Sequence, residues 1–393
     1  MNVLTITAMA TTQLFPTSLP PGDWHVFRAS GYDTPVVGTI WTEKRPAVNG
    51  MPLGGPDTGC IDLDTNGLWG YVTAFNSLAP RRGPLNVPAL GFTVGRTAYV
   101  CSSQGMPGVA PAKTSRYWGH YPIADIEFGF EGPVQAGLRA WSPFLPGDLT
   151  ESMLPATVLE LHLRNRSARA VSGWAALSFP GPEHSEVGYG ESVREAISDS
   201  RQKGAQARGR QTAQYSITVL GARSARMEPC YGWDPELWRG MGRSAAPLLV
   251  NNDEGGLAVS ARYSIPAGGT TTVRFLLAWH APVWFSNGVP SAGGNHYRHM
   301  YAKHWPDLKS VRDWVAVHHE DLLARIVRWQ SEVYKDGALP PYLKDSLVNS
   351  LHLIPECGVW AQAQDELGTW CKPADGLFAY ADGRRPTHAE TGY

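Results

Sequence analysis

The sequence of 393 residues lacks a surplus of charge of either sign. It contains 34 Lys and Arg against 35 Asp and Glu, which gives a formal net charge of −1. Proteins that bind nucleic acid usually show a basic surplus, because neutralising phosphates requires Lys and Arg. The composition therefore predicts that nucleic acid is not among the partners of this protein.

Cysteine is scarce, and the five cysteines are Cys60, Cys101, Cys230, Cys357 and Cys371. They are odd in number, lie far apart and form no Cys-x-x-Cys pair. A disulfide framework or a zinc site would need an even count or tighter spacing. We expect buried thiols in a reducing compartment.

Long apolar runs are missing as well. The beginning of the chain, MNVLTITAMATTQLFPTSLP, has neither the basic segment nor the sustained apolar core of a signal peptide. No later run is long enough to cross a bilayer. The sequence therefore predicts a cytoplasmic protein with no transmembrane segment.

Metal-binding motifs are not evident. His318-His319-Glu320 lacks the His-Glu-x-x-His spacing, and adjacent helical histidines point about 100° apart. This triplet is interpreted as part of an exposed helix face. We expect no cofactor and no catalytic metal, while a structural calcium site stays open.

Glycine (42), proline (31), Trp (15) and Tyr (15) are abundant and favour strands and turns. The most informative block is residues 51–76, MPLGGPDTGCIDLDTNGLWGYVTAFN. It predicts a glycine turn, a strand over 60–65, an Asn66-Gly67 turn and a strand over 68–75. Because the glycines lead into a strand and no Lys-Ser/Thr follows, a structural turn is favoured over a phosphate-binding loop.

Period-two alternation and turn residues predict many further strands, with no helical period between them. The clearest alternation joins 157–163 to 171–179 through a polar turn, and it indicates a sheet with one face buried and one in water. By contrast, 181–213 is rich in Gly, Ser, Arg, Gln and Glu and is predicted to be a long solvated or mobile excursion. The remaining strands are expected at 36–41, on both sides of Gly95 within 89–101, and at 123–130, 134–140, 214–220, 257–265 and 270–279. An antiparallel β-sandwich is the expected fold.

The period changes at Trp305-Pro306. Apolar residues then recur three or four positions apart, which predicts a helix of about 25 residues that Pro306 begins and Gly337 ends; they are Leu308, Val311, Val315, Leu322, Ile326, Trp329 and Val333. A second helix is predicted after Pro340-Pro341, with Leu343, Leu347, Leu351 and Ile354 on its apolar face.

The block at 51–76 resembles the opening of the N-terminal domain of glycoside hydrolase family 116. This is the family of the non-lysosomal glucosylceramidases and bacterial β-glucosidases. The resemblance lies in Pro-Leu-Gly-Gly at 52–55 and Thr58-Gly59, and in the strand, turn and tryptophan that lead to Phe75-Asn76. The family usually has Gly-Gly-Ile-Gly-Thr-Gly, so Pro56-Asp57 departs from the pattern, in the turn and not in the chemistry.

Trp329-Gln330 and the run LPPYLKDSLVNSLHLIPECGVW resemble the junction between the β domain and the (α/α)6 barrel of that family. The resemblance implies an arm over 1–49, a β-sandwich over 50–300 and a linker helix over 301–338. Residues 339–393 would be the start of the (α/α)6 catalytic domain, truncated. The fold class is then a large antiparallel β-sandwich followed by the first helices of an incomplete barrel.

The family is retaining, with a nucleophilic glutamate on the loop after the first barrel helices and an acid/base aspartate much further along. In GLFAYADG at 376–383, Asp382 stands at the nucleophile position, one methylene shorter than glutamate. Glu390, in a Glu-Thr pair, is the second candidate, and both could instead be solvated carboxylates in a C-terminal tail. The acid/base residue has no counterpart here.

The resemblance thus implies the N-terminal portion of a retaining β-glycosidase, β-glucosidase-like or glucosylceramidase-like, inactive as this fragment. Its partners would be a carbohydrate or glycolipid substrate and the missing remainder of the catalytic domain. The alternative is a non-catalytic β-sandwich that binds carbohydrate or scaffolds another protein.

Three further groups of residues could serve either function or packing. The histidines of 296–304 are expected in interdomain packing, although they could reach an active-site mouth. Trp233 and Trp238 could form a sugar-stacking platform, but a cap on the sandwich is favoured. Asp148 is expected to form a turn or a contact to the barrel.

Overall fold

The computed structural model describes residues 13–75, 82–188, 190–209, 213–251, 256–285 and 296–380. Strands dominate these ranges. The first twelve are β1 Gly22–Phe27, β2 Val36–Thr42, β3 Met51–Gly54, β4 Cys60–Leu63, β5 Leu68–Val72, β6 Val87–Pro88, β7 Leu90–Val94, β8 Thr97–Val100, β9 Val109–Pro111, β10 Thr114–His120, β11 Ile123–Gly129 and β12 Val134–Trp141.

The later strands are β13 Ala156–Asn165, β14 Val171–Phe179, β15 Glu191–Ser198, β16 Gln202–Arg208, β17 Gln214–Leu220, β18 Arg226–Pro229, β19 Leu249–Asn251, β20 Leu257–Ile265, β21 Thr270–His280, β22 Val283–Phe285, β23 His296–Arg298, β24 Gly358–Ala361 and β25 Leu377–Tyr380. The α-helices are α1 Leu149–Ser152, α2 His184–Val187, α3 Pro235–Arg239, α4 Tyr301–His304, α5 Leu308–Tyr334, α6 Pro341–Asn349 and α7 Leu353–Cys357, with 3-10 turns at Ser350–His352 and Asp365–Leu367.

Two large sheets form the body of the molecule. The larger is antiparallel throughout and has eleven strands in the order β1-β2-β10-β11-β12-β13-β21-β17-β16-β15-β19. The smaller has six strands in the order β18-β20-β14-β7-β8-β9, in which only the β8–β9 pair is parallel. A four-stranded sheet, β3 to β6, and two separate hairpins, β22–β23 and β24–β25, complete the described strands.

The two large sheets contribute side chains to one apolar core. Leu161 and Ile217 of the eleven-stranded sheet lie in the same buried cluster as Phe92, Leu177 and Val259 of the six-stranded sheet. Two sheets that enclose a shared core are the defining feature of sandwich packing. The sequence-based expectation of a large antiparallel β structure is confirmed.

The predicted strands over 157–163 and 171–179 exist, but they do not form one sheet with a wet face. β13 pairs with β12 and β21, whereas β14 pairs with β20 and β7 in the other sheet. Leu159 and Leu161 point into the shared core, and Val158 on the opposite face packs beneath α5. The expectation of a solvated face was wrong for β13, because α5 covers its outer face, whereas the outer face of β14 is partly exposed at Ser172 and Trp174.

The excursion predicted over 181–213 was also wrong. It contains α2 and the hairpin β15–β16, which lies between β17 and β19 in the large sheet. The small residues Ala205 and Ala207 reach the core, and buried Arg194 donates to the carbonyl oxygens of Pro247 and Gly256 at 3.1 and 2.8 Å. Strand pairing and backbone acceptors compensate here for the missing large apolar residues.

The long helix α5 is confirmed, and its 27 residues lie across the outer face of the large sheet. Its N-cap is Asp307, whose carboxylate accepts a hydrogen bond from the Ser310 N–H at 2.7 Å. Pro306 therefore precedes the cap, whereas the sequence predicted it to be the first helical residue. The periodic residues Leu308, Val311, Val315, Leu322 and Ile326 are buried against β12, β13 and β21.

The hairpin β4–β5 at 60–72 and the strand at 36–42 are confirmed. The N-terminal arm contributes one strand more than predicted, β1, at the edge of the large sheet. Near the other end, the second predicted helix is broken by a 3-10 turn between α6 and α7. The described chain then forms β24 and β25, so the beginning of an (α/α)6 barrel stays a prediction.

Candidate functional site

The hairpin β24–β25 leads directly to the predicted nucleophile position. Trp360 of β24 lies opposite Phe378 of β25 in the antiparallel register. β25 ends at Tyr380, and Asp382 and Glu390 lie outside the described residues. The structure therefore describes the hairpin that precedes these two carboxyl groups, but not the groups themselves.

The hairpin is held to the β structure by Asp57, which is fully buried. One carboxylate oxygen, Oδ1, accepts the Trp360 N–H at 2.7 Å and lies 2.7 Å from Nδ1 of His299. The other, Oδ2, accepts the Tyr301 N–H at 3.0 Å. We call Asp57, His299, Tyr301 and Trp360 the junction cluster, since it joins three segments that are far apart in the chain.

The glycine turn fixes the position of Asp57. Asp57 itself has φ +65°, a left-handed conformation that aspartate tolerates better than most residues. A Cβ at Gly55 would lie 1.8 Å from the Ser152 carbonyl oxygen, and one at Gly54 would lie 2.1 Å from that of Gly59. The glycines thus permit close backbone packing, which supports the structural interpretation of this turn.

The Asp57–His299 pair defines the tautomer of the imidazole. Because an ionised carboxylate only accepts, a hydrogen bond to it requires a proton on Nδ1 of His299. The His299 side chain is 13% exposed. Such a pair can orient an imidazole for hydrogen bonding or proton transfer to a neighbouring group.

Backbone hydrogen bonds reinforce the same contact. The Met300 N–H donates to the Trp360 carbonyl at 2.7 Å, and the Gln362 N–H donates to the Arg298 carbonyl at 2.8 Å. Gly376 has φ +60°, and a Cβ there would lie 2.4 Å from the Ala361 carbonyl oxygen. His299 thus packs between the glycine turn and the hairpin, while the interdomain role expected for the histidines of 296–304 stays a prediction.

Sequence reasoning missed the junction cluster. It assigned Asp57 only to the turn, whereas the carboxylate connects that turn to residues 299, 301 and 360. The available signal was an aspartate at a position where the family usually has glycine. Its partners could not be identified, because they lie more than two hundred residues away.

Asp148 has the predicted turn role, whereas its other contact is to α5 and the expected contact to a barrel stays a prediction. It caps α1 by accepting the Glu151 N–H at 3.2 Å, and it lies 2.6 Å from Nη2 of Arg325. Burial would raise the pKa of Asp148, but hydrogen bonds from Arg325 and Glu151 outweigh it and hold the pKa below the usual range.

The tryptophan and histidine candidates pack against or hydrogen-bond to neighbouring residues of the fold. Trp238 is fully buried beside Tyr231, which supports the cap interpretation, while Trp233 is 36% exposed and donates to the Asn86 carbonyl at 2.6 Å. On α5, the His318 ring stacks on Trp314 with centroids 3.9 Å apart. Within the described ranges, no three His, Cys, Asp or Glu side chains are grouped so as to hold a metal ion.

Among the described residues, Cys60, Cys101 and Cys371 are buried and Cys230 is half-buried, none of them in a disulfide, and burial raises the pKa of Cys101. None of the helices in the described residues combines the length and apolar character needed to cross a bilayer.

Residues 96–322 match the family described as beta-glucosidase 2, glycosyl-hydrolase family 116, N-terminal domain. This span is more than half of the 393 residues. No curated protein matches the sequence.

Several solved structures show a remote likeness. A putative kojibiose phosphorylase from the human microbiome is 6% identical, with 84% of this chain and 37% of that chain covered and a TM-score of 0.37. The family GH92 α-mannosidase from Bacteroides thetaiotaomicron is 12% identical, with coverages of 85% and 42% and a TM-score of 0.32. A polysaccharide lyase is 12% identical, with 62% of this chain and 33% of that chain covered and a TM-score of 0.31. The chain spans less than half of the length of each of these proteins.

Proposed function

Because this chain belongs to glycosyl-hydrolase family 116 through its N-terminal domain, we propose that it is the N-terminal portion of a retaining β-glycosidase. The complete enzyme would hydrolyse O-glycosyl bonds of β-glucosides, glucosylceramide-like lipids among them. The family match over 96–322 is the observation that carries this proposal. A cytoplasmic location and hydrolysis without a metal or cofactor are parts of it.

The proposed division of the chain is an arm over 1–49, the family's β domain over 50–300, a linker helix over 301–338 and the start of an (α/α)6 catalytic domain from 339. The junction cluster supports this division. It fastens the hairpin β24–β25 to the glycine turn, and β25 leads towards Asp382. The β domain would then hold the nucleophile loop in place.

In the proposed chemistry, Asp382 attacks the anomeric carbon, and the glycosidic bond breaks as the acid/base group protonates the departing aglycone oxygen. Water, deprotonated by the same group, then releases the sugar from the glycosyl-enzyme and frees Asp382. Retaining enzymes place the nucleophile and the acid/base group about 5 to 5.5 Å apart. The acid/base aspartate would come from the remainder of the catalytic domain. Since proton donation to the leaving group is worth about 100- to 10,000-fold, these 393 residues alone are proposed to be inactive.

Exposed apolar side chains on α6 and within residues 370–378 support contact with a further domain. Tyr342 and Leu347 of α6 are 54% and 44% exposed, and Trp370 and Phe378 beside the hairpin are 66% and 46% exposed. Groups of large exposed apolar residues mark interaction surfaces. The remainder of a barrel would cover them.

The first test is turnover of an activated aryl β-glucoside by the purified chain, which we expect to be undetectable. Robust turnover that Asp382→Ala abolishes would contradict the proposed inactivity. The gene downstream of codon 393 is to be sequenced in parallel, and we expect an open reading frame with a further aspartate-bearing domain.

The second test identifies the nucleophile in the complete gene product. With Asp382→Gly, azide can enter the space of the lost carboxylate and attack the same face, so α-glucosyl azide is the expected product from a dinitrophenyl β-glucoside. The matched variant Glu390→Gly should give none. Azide product from Glu390→Gly alone would move the nucleophile there, and none from either variant would overturn the assignment.

The second candidate function is a non-catalytic module that binds carbohydrate or scaffolds another protein. It is favoured by the described chain after α7, which forms β24 and β25 and no further α-helix. A stop codon directly after residue 393, together with carbohydrate binding by the purified chain, would support it.

A further inference from the structure

The outer face of the six-stranded sheet contains a pocket that the proposed hydrolysis does not use. Its volume is about 770 Å³, within the range of roughly 300–1,000 Å³ typical of small-molecule sites. We call it the arginine pocket, and it is lined by Arg96, Trp174, Arg239, Arg243, Arg262 and Tyr263 among others. We propose that the arginine pocket binds an acidic carbohydrate, a sugar chain that carries carboxylate groups.

Positive charge is concentrated in this pocket. Its four arginines are all exposed, and Arg226 lies beside them. The one acidic lining residue, Glu236, pairs with Arg239. Among the described residues, no ion pair connects Arg96, Arg243 or Arg262 to a carboxylate. In a chain of net charge −1, such a concentration of unpaired guanidinium groups attracts anions.

Trp174 orients one of the arginines of the pocket, Arg262. Trp174 of β14 lies directly opposite Arg262 of β20, and the guanidinium carbon of Arg262 is 5.0 Å from the indole centroid. A stacked guanidinium uses its face for the aromatic contact, so the N–H groups at its edge stay available. That edge matches a carboxylate with two parallel hydrogen bonds.

A buried carboxylate holds the loop that carries Arg243. Glu228 of β18 is fully buried and accepts the N–H groups of Gly242 and Ser244 at 2.9 and 3.2 Å. Gly242 has φ +80°, and a Cβ there would lie 2.3 Å from the Trp174 ring. The loop is thus fixed against the same indole that orients Arg262, which reduces the cost of ordering the site on binding.

The shape of the site favours a discrete ligand. A planar membrane would meet protruding side chains, whereas this site is concave and has the half-buried Trp174 beside its cations. The edges of the arginine side chains suit carboxylates. The choice of a carbohydrate rests on family membership and does not depend on the proposed hydrolysis.

The test is calorimetric titration of the 393-residue chain with tetragalacturonate as the acidic probe and maltotetraose as the neutral one. We expect the dissociation constant for tetragalacturonate to be lower by about tenfold or more, and to rise with salt. Arg262→Ser and Arg243→Ser should each weaken binding about tenfold, while Arg28→Ser, an exposed arginine beside β1, should leave it unchanged.

Three results would overturn the proposal. They are equal affinity for both tetrasaccharides, unchanged tetragalacturonate binding by Arg262→Ser, and retention on phosphatidylserine vesicles with no tetragalacturonate binding. Arg262→Lys keeps the charge and loses the double hydrogen bond, so intermediate binding is expected. Circular dichroism of each variant separates loss of binding from loss of fold, and failure of the azide test would leave these outcomes unaffected.

Discussion

The outer faces of the two large sheets present charged residues in opposite ways. On the eleven-stranded sheet, Asp125, Arg139, Glu160 and Arg274 stand directly opposite one another on four neighbouring strands, with alternating sign. On the six-stranded sheet, the arginine pocket is exposed and almost entirely of one sign. The outer face of one sheet therefore carries a structural network, and the outer face of the other carries the proposed binding surface.

The difference between the two faces comes from the burial of their charged residues. Asp125 is fully buried, and Nε and Nη2 of Arg139 donate to its two oxygens at 2.8 and 2.7 Å. α5 packs over Val158 and Leu276 alongside this row. A buried charge is tolerated only when it is paired and hydrogen-bonded. An exposed charge carries no such requirement, so unpaired arginines can be retained for a ligand.

Removing one partner of the buried pair should have the largest effect. Asp125→Asn keeps the shape of the side chain but leaves the Arg139 guanidinium uncompensated, so we expect a loss of about 3–5 kcal/mol in the free energy of unfolding. Urea denaturation followed by tryptophan fluorescence measures it. The control is Glu131→Gln in the exposed Lys113–Glu131 pair, which should change the midpoint little. Equal losses in both variants would contradict the comparison.

A buried carboxylate that is satisfied by backbone N–H groups should give a smaller effect. Asp57→Asn replaces one accepting oxygen with a donor that faces N–H groups, and a loss of about 1–3 kcal/mol is expected. Hydrogen exchange should accelerate at the amides of Trp360 and Tyr301 while β12 and β13 stay protected. Asp33→Asn, at an exposed aspartate, serves as the control. Unchanged exchange at Trp360 would show that Asp57 does not hold the hairpin.

The buried network also predicts acid sensitivity through His120, which lies 3.5 Å from Asp125 and is fully buried. Burial lowers the pKa of His120, and Asp125 only partly opposes this. Because the folded pKa lies below the unfolded value of about 6.5, stability is complete above that pH and is lost as the pH falls. At pH 5.5 this one histidine can cost at most about 1.4 kcal/mol.

Urea unfolding at pH 7.5 and 5.5 tests this expectation. His120→Gln should lose less stability between the two pH values than the wild type, whatever its stability at pH 7.5. His319→Gln on α5 should match the wild type. If the loss on acidification is the same in all three proteins, His120 does not contribute to it.

The sequence was sufficient for the elements whose residues share a regular period. Leu159 and Leu161 on β13, and Val311 and Val315 on α5, define those elements without any knowledge of their partners. It was insufficient where the environment comes from distant segments. The burial of Glu160, the pairing of β16 and the contacts of Asp57 all depend on chain that lies far away in the sequence.

The candidate functional residues also divide into those that the sequence predicted and those that it did not. A resemblance of motifs pointed to Asp382 and Glu390, which lie outside the described residues and stay predictions. The arginine pocket had no signal in the sequence, since Arg96, Trp174, Arg243 and Arg262 are scattered over four segments. Only the pairing of β14 with β20 and the loop after α3 bring them together.

The smallest effect on stability is expected in the arginine pocket. Arg243→Ser removes an exposed guanidinium that has no ion pair within the described chain, so the free energy of unfolding should change by less than about 0.5 kcal/mol. Arg139→Ser is the same chemical change at the buried pair and should cost about 3–5 kcal/mol, because Asp125 loses its partner. Urea denaturation of the two variants gives both values. A large loss in Arg243→Ser would make that arginine structural and remove the contrast between the two faces, since unpaired surface charge is expendable for folding and can be used for a ligand.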